Sequence, residues 1–462
     1  MCPVNSNFII PKKQSMRLIS FLFLLSLISC NNDSSNVGTQ NSELPEKTSI
    51  ADIEIGIRDY ISRETEQNSG FFPLPNDSST MKLKLVRVHT EYLSNLGPDS
   101  HFACVDLADE KGDVYDVDFF LTGKPGNMHV TEMTLHKENG KPFYNWKQLA
   151  DKTWKRVDVE SSDNRLMGVV EGEDRFRFRY EVEIPEIEES AEIWIPVPTS
   201  NPWQDVTLLS QSSENRGTLK QESEYGNQYY YLQLDEKDSN IPLIFEYEVV
   251  RMEKNPYANN DEDLSRYLTT SELMPVGGRF ESIVNEILKG KRKDSDLMKA
   301  RAIYDYVADT LRYRKAGEYG TGDANYACDS RSGNCTEFHS YFISLARSAN
   351  IPARFAIGAA IPAERNEGGV NGYHCWAEFY AEGKWWPVDI SEGNKYAALS
   401  TYYFGHHPAN RLEFSKGRDL ILDPMPETGK VPFFAYPVFE QKNKPSRVKT
   451  KFSFVREGKM DS

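Results

Sequence analysis

The sequence predicts an α+β protein: a helix bearing a cysteine packs on an antiparallel sheet, preceded by a β-sandwich and a small α+β domain. Three observations carry this reading. Gly333-Asn334 is a turn signal running directly into a helical pattern that opens at Cys335. Residues 373–380 and 385–390 are aromatic-rich alternating runs on either side of a short turn. Between about 166 and 262 a long two-residue alternation dominates.

In chain order, Arg17 precedes a mostly apolar stretch over 18–28, interrupted by Ser20 and Ser26 and too short to span a bilayer comfortably. It ends in Leu27-Ile28-Ser29-Cys30, which resembles the bacterial lipobox, a small residue followed by a cysteine that is acylated and becomes the mature N-terminus. Residues 1–29 are therefore expected to be a lipoprotein signal peptide with its start at Met16, and Cys30 the lipidation site. The acyl chains would hold the protein on a membrane of the bacterial cell envelope. Residues 30–50, rich in Asn, Ser, Asp and Thr, read as a solvated tether.

Residues 51–165 read as a small α+β domain of unknown role, with a helix over 53–61 and strands such as 81–85 and 114–121. Its histidines, His89, His101, His129 and His136, are scattered without metal-ligand spacing and read as surface or packing residues. Residues 166–262 are expected to form the sandwich. Phe176, Phe178, Tyr180, Val182 and Ile184 alternate with charged residues, as do Leu243, Phe245, Tyr247 and Val249 with their neighbours. The catalytic domain is placed at 263–440, opening with helices over 280–288 and 297–311. A C-terminal strand with its tail takes 441–462, where Val448, Thr450, Phe452 and Phe454 alternate with polar residues.

A chain of 462 residues suggests about three domains, and 39% hydrophobic with 27% charged residues is ordinary for a soluble globular protein. The net charge of −15 opposes phosphate-backbone recognition, so nucleic acid is excluded as a partner. Six cysteines are too few for a disulfide framework. With Cys2 and Cys30 set aside and Cys335 kept free, at most one bridge forms among Cys104, Cys328 and Cys375. Cys328 with Cys375 is one arrangement, and buried free thiols are the other.

The chemistry lies in Cys335, His374 and Asp389. A thiol is a strong nucleophile only as thiolate, which a helix N-terminus and an imidazolium both favour. Phe338, Tyr341, Phe342, Leu345 and Ala346 mark one buried helix face and place Cys335 in the first turn. On the strand over 373–380, His374, Trp376, Glu378 and Tyr380 share one face, and Cys375, Ala377 and Phe379 the other. A turn of even length at 381–384 brings Asp389 onto the His374 face, where it would orient the imidazole. This is the layout of a papain-type thiol site. Cys335 and His339, one helical turn apart, lack the paired Cys clusters of a zinc site, so no metal is expected and His339 reads as a hydrogen-bonding residue.

Residues from about 299 to 439 resemble the bacterial branch of the transglutaminase-like superfamily. The resemblance rests on Ala300 to Val307, Ala327-Cys328-Asp329, Gly333 to His339, Asn350 to Arg354, His374 to Tyr380, Asn410-Arg411-Leu412 and Gly417 to Leu420. It implies that Cys335, His374 and Asp389 are nucleophile, base and orienting acid. Many relatives carry Trp near the position of Tyr326; this ring is a second oxyanion candidate behind the backbone N–H of Cys335. The stretch Ile193 to Pro198 resembles one often found in domains preceding such cores, its aromatics read as core packing.

The expected activity is attack on an amide carbonyl of a peptide or protein substrate through a thioester, with hydrolysis as the outcome. Cross-linking to an amine is one alternative, and a non-catalytic envelope binding lipoprotein that keeps the fold as a scaffold is another. No cofactor is required by this chemistry. Residues 362–372, with Gly368, Gly369 and Gly372, read as a mobile loop that gates the groove. His406, His407 and Arg411 are groove-lining candidates, or packing residues.

Overall fold

Ser49 opens the first element: its hydroxyl accepts the Asp52 N–H, and the Asp52 carboxylate accepts the Ser49 N–H, a complete capping box. The helix it caps, α1 (Ile50–Gln67), buries Ile53, Ile57 and Ile61. The computed structural model describes residues 48–456 apart from 77–78, 91, 98, 149–153, 159–167, 213–215, 259–262, 292, 316–318 and 396–398. The expected signal peptide, Cys30, most of the tether and the last six residues lie outside the described residues.

α1 packs on an antiparallel sheet of β1 (Phe72–Asn76), β2 (Ser79–Val88), β3 (Ser94–Gly97), β4 (Ser100–Ala108), β5 (Val114–Lys124), β6 (Asn127–Glu138) and β7 (Lys141–Pro142). Its order is β1-β2-β4-β5-β6-β7, with β3 also on β4. Alternation sends Val105, Leu107, Val117, Phe119 and Leu121 into the core against α1. The hairpin of β8 (Tyr144–Gln148) and β9 (Trp154–Asp158) follows.

The alternating region folds as β10 (Glu173–Glu183), β11 (Ser190–Val197), β12 (Gln204–Gln211), β13 (Thr218–Gln221), β14 (Gln228–Asp235) and β15 (Leu243–Met252). In β10, Phe176, Phe178, Tyr180 and Val182 are buried while Arg175 and Arg177 face solvent. The core after it contains β16 (Tyr257–Ala258), α2 (Arg279–Ile287), α3 (Asp296–Thr310), β17 (Arg312–Tyr313), α4 (Ala324–Ser330), β18 (Ser332–Gly333) and α5 (Cys335–Ser348). It continues with β19 (Ala353–Ala360), β20 (Glu367–Val370), β21 (His374–Ala381), β22 (Lys384–Val388), α6 (Ile390–Lys395) and β23 (Arg411–Lys416). Its sheet runs β16-β22-β21-β19-β23, and α5 packs on β19 and β21.

Three late strands, β24 (Val438–Gln441), β25 (Lys444–Ser446) and β26 (Lys449–Arg456), return to the sandwich. The two sandwich sheets run β12-β15-β10-β26-β20 and β13-β14-β11-β24-β25. The sandwich is thus assembled from both sides of the core in sequence, because alternation marks a strand without naming its neighbours. A single apolar core joins Phe178 and Phe452 of the sandwich to Phe338, Phe342 and Phe379 around α5. α5 is buried on every side from Cys335 to Arg347, where the apolar spacing indicated one buried face. Thr336, Glu337, His339, Ser340 and Ser344 lie inside the protein with Phe338 and Phe342.

Candidate active site

Asn334 builds the helix start on which the site depends. Its Oδ1 accepts the Thr336 N–H at 2.8 Å, and its own N–H donates to Glu337 Oε2 at 2.9 Å. Glu337 Oε1 also takes the Gly320 and Gly322 N–H groups, each at 2.8 Å. A capping box buried in this way fixes the first turn of α5 and the loop over 320–322 together. Gly333 is required for closeness: a Cβ there would stand 2.3 Å from Glu337 Cβ. Cys335 follows as the first helical residue, only 2% exposed.

The β-hairpin brings the other two groups. Ala381 pairs with Lys384 and Ala377 with Val388, so the loop is the two residues Glu382-Gly383. Its even length carries Asp389 to the His374 face, and His374 Nε2 lies 2.6 Å from Asp389 Oδ2. Oδ1 of that carboxylate accepts from Ser391 Oγ at 3.0 Å and the Glu392 N–H at 3.2 Å, and Arg411 Nη2 joins His374 on Oδ2 at 3.4 Å. Burial alone would raise Asp389, but the charges of His374 and Arg411 and the His374 hydrogen bond keep it well below the usual carboxylate range. For His374 burial acts downward, and Asp389 and Cys335 outweigh it, pushing the imidazole up to about 9. Burial would likewise raise the Cys335 thiol. Hydrogen bonds from Cys375 and His374, with the imidazolium charge, reverse this and hold it well below its ordinary value. The three residues therefore meet as thiolate, imidazolium and carboxylate.

A second buried pair surrounds them. The Ile390 N–H donates to His339 Nε2 at 3.1 Å, so that nitrogen carries no proton. His339 Nδ1–H then donates to the Cys335 carbonyl at 2.7 Å. Burial keeps this imidazole below its ordinary value, neutral beside the charged His374. Cys375 Sγ stands 3.6 Å from His339 Nδ1, and burial together with the Cys335 charge pushes its thiol well up, leaving it a donor toward Cys335. Strand parity separates His374 from Cys375, yet both reach Cys335.

The glycine-rich segment departs from its expected role as a mobile loop, and the structure also places the remaining candidates. Residues 367–370 are strand, paired with β26, and Arg456 holds the Pro362 carbonyl at 2.7 Å, so the glycine-rich segment is tied to the sandwich. Arg411 supports Asp389, His407 Nε2 meets the Val388 carbonyl at 3.1 Å, and His406 lines a separate cavity of about 660 Å³. Cys104, Cys328, Cys335 and Cys375 are free thiols, and Cys328 is held by Arg279 and Tyr341 away from Cys375. Tyr326 lies on α4, and among the described residues no hydrogen bond or ring contact joins it to Cys335. The rings that sense the thiol charge are Tyr313, Tyr373 and Tyr436. Tyr373 Oη accepts from Asn334 Nδ2 at 3.1 Å. Its place directly before His374 was the available signal.

Residues 281–390 match the model of the transglutaminase-like superfamily. That stretch is similar to a transglutaminase-like core domain. An uncharacterized protein of Haemophilus influenzae is 25% identical over 297 residues, covering 54% of this chain and 80% of that one. A Cytophaga hutchinsonii structure with a provisional cysteine-protease designation aligns at TM-score 0.41 and 14% identity, over 63% of this chain and 93% of that chain. The periplasmic domain of TgpA from Pseudomonas aeruginosa aligns at TM-score 0.26 and 16% identity, over 53% and 98%. Among the described residues no helix is long and apolar enough to cross a membrane.

Proposed function

We propose that this protein is a lipid-anchored thiol hydrolase of the bacterial envelope, cleaving amide bonds of a peptide or protein through a Cys335 thioester. The reading rests above all on the Cys335–His374–Asp389 arrangement, with His374 Nε2 2.6 Å from a fully buried Asp389. The thiolate attacks the carbonyl carbon, and His374 delivers its proton to the departing amine. The N–H of Cys335, first in α5 and without an acceptor inside the helix, faces the developing oxyanion together with the positive end of the helix dipole. Water, deprotonated by the now neutral His374, then hydrolyses the thioester and restores the thiol. Asp389 keeps the imidazole oriented throughout and does not itself take the proton. The anchor is assigned to acylated Cys30.

Burial of the thiol, 2% exposed, supports a second reading in which the fold is a binding scaffold and the thiol inert. One experiment separates the outcomes. The mature protein and Cys335→Ala are incubated with a peptide library and a tagged primary amine, and products are sequenced by mass spectrometry. New peptide termini that depend on Cys335 support hydrolysis. Tagged side-chain amides would instead identify an acyltransferase. Absence of both products, with a thioester undetectable under acid quench, would sink the enzyme reading.

A further inference from the structure

The sheet beside α1 has a second face, and it is not built like a core. Alternation turns Ala103, Val105 and Leu107 toward α1, so Cys104 and Asp106 point the other way, as do Asp116 and Asp118 of β5. Cys104 is paired with Asp118, and Asp106 with Asp116. The His89 N–H donates to the Cys104 carbonyl at 3.0 Å, which sets His89 beside that thiol. All five residues are at most 9% exposed. The histidines that look scattered in sequence are gathered by the strands, His89 from the end of β2 and His136 from a register shift in β6.

The cations facing this patch include Lys137, 2.9 Å from Asp116 Oδ2, Arg301 of α3, 3.4 Å from Asp106 Oδ2 and shared with Asp305 at 2.9 Å, and Arg87, 3.1 Å from Asp305 Oδ2. Asp106 Oδ2 takes no hydrogen bond among the described residues, although it is fully enclosed. Tyr144 Oη donates to Asp118 Oδ2 at 2.8 Å and its ring stacks on His136. Three carboxylates, a thiol and an imidazole buried together are expensive to desolvate even beside these cations. The apolar cluster that packs on α1 lies on the opposite face.

We propose that His89 Nε2, Cys104 Sγ and Asp116 Oδ1 form a binding site for a thiolate-accepting divalent metal ion of the zinc class. Ligand atoms of these three side chains lie within 4.8 Å of one another, and Cys104 Sγ and Asp116 Oδ1 are 2.9 Å apart. Ligands at zinc bond lengths of about 2.0–2.3 Å in a tetrahedron stand roughly 3.5 Å from each other, so small rotamer changes suffice. Asp106 Oδ1, 3.0 Å from His89 Nε2, supplies the next donor. The mix of sulfur, nitrogen and oxygen favours zinc over magnesium or calcium. Without the ion, the Cys104 thiol donates to Asp116 Oδ1. Binding releases the thiol proton to solvent as the Sγ–metal bond forms. A second group, Asp116, Asp118 and His136, shares Asp116, with His136 Nδ1 3.7 Å from Asp116 Oδ1.

The test uses the full mature chain carrying Cys335→Ser, so that the active-site thiol does not bind the probe. After dialysis against a weak chelator, zinc content is measured, and cobalt(II) is titrated into the metal-free protein. The expected result is about one zinc retained per chain and a near-ultraviolet thiolate-to-cobalt band. In Cys335→Ser/Cys104→Ser the band is lost and zinc no longer raises the melting temperature. Asp116→Asn, closer in shape, gives a folded check by circular dichroism with weakened cobalt binding. A chain that binds no cobalt through sulfur overturns the site, as does a band that survives Cys104→Ser. If Cys104→Ser does not fold, zinc-edge absorption on Cys335→Ser decides: sulfur in the coordination shell supports the site, and an all-nitrogen-and-oxygen shell overturns it.

Discussion

His374 Nε2 and Asp389 Oδ2 meet at 2.6 Å from positions that are diagonal on the hairpin, not directly paired. Continuing the register that sets Ala377 opposite Val388 brings Asp389 level with Trp376, two residues from His374 on the same face. The contact therefore depends on loop parity, since one inserted residue at Glu382-Gly383 would turn the carboxylate to the opposite face.

The first consequence is reactivity of the thiol below its ordinary range. Because the Cys335 value is depressed and that of His374 is raised to about 9, both charges are present at neutral pH. Iodoacetamide labelling of Cys335, mapped by peptide, is expected to proceed well below pH 8. In His374→Ala it should require pH above about 8.5, the range of an ordinary thiol. Identical pH profiles for the two proteins would refute the ion pair.

Asp389→Asn keeps the shape and removes the charge. The amide cannot stabilise an imidazolium, and Arg411 is left beside a neutral group. Hydrolytic kcat should fall by about 10³–10⁴-fold, with the labelling profile of Cys335 displaced toward higher pH. A loss of substrate affinity with unchanged kcat would show that Asp389 only shapes the groove.

The helix opening at Cys335, the hairpin parity and the alternation of β10 and β15 were all legible, since each is written in local spacing. What escaped was set by partners far away in sequence. No local pattern tells residues 367–370 that β26 lies beside them, so glycines suggested a free loop. Alternation puts Cys375 on the strand face opposite His374, yet it also reaches Cys335. The sidedness of β4 and β5 was readable as alternation. Its buried polar face was not, because charged residues normally mark the solvent side.

Gly372 tests how far the position of His374 depends on that tied segment. Its φ is +73°, and a Cβ there would stand 2.7 Å from Tyr436 Oη, the group that accepts the Tyr373 N–H at 3.2 Å. Gly372→Ala should destabilise the fold by about 1–2 kcal/mol from the left-handed backbone. It should also displace His374 enough to lower kcat by about 10²-fold. Adding Tyr436→Phe removes the clashing oxygen, so the double variant is expected to regain part of kcat while its melting temperature stays low. Equal activity in the two variants would separate the loop from the site.

The strand that carries His374 is also pinned by a buried charge cluster, and this sets the acid limit of the fold. Glu378 Oε1 lies 2.6 Å from Lys254 Nζ and Glu378 Oε2 2.7 Å from Arg354 Nε, every group 8% exposed or less. Burial opposes ionisation of Glu378, but Lys254 and Arg354 outweigh it and hold its carboxyl well below the usual range. A carboxylate depressed on folding stabilises the native state above its unfolded value, about 4.3, and that contribution disappears as pH falls through the folded value. Urea denaturation of the wild type should therefore weaken steeply below about pH 4. Glu378→Gln should lose about 3–5 kcal/mol at pH 7, because Lys254 keeps its burial without its nearest partner, and should show a flatter acid limb. Glu378→Gln with Lys254→Met removes both charges and is expected to recover much of the loss. If the double variant is no more stable than the single, the cost lies in packing around β21 and not in the stranded lysine.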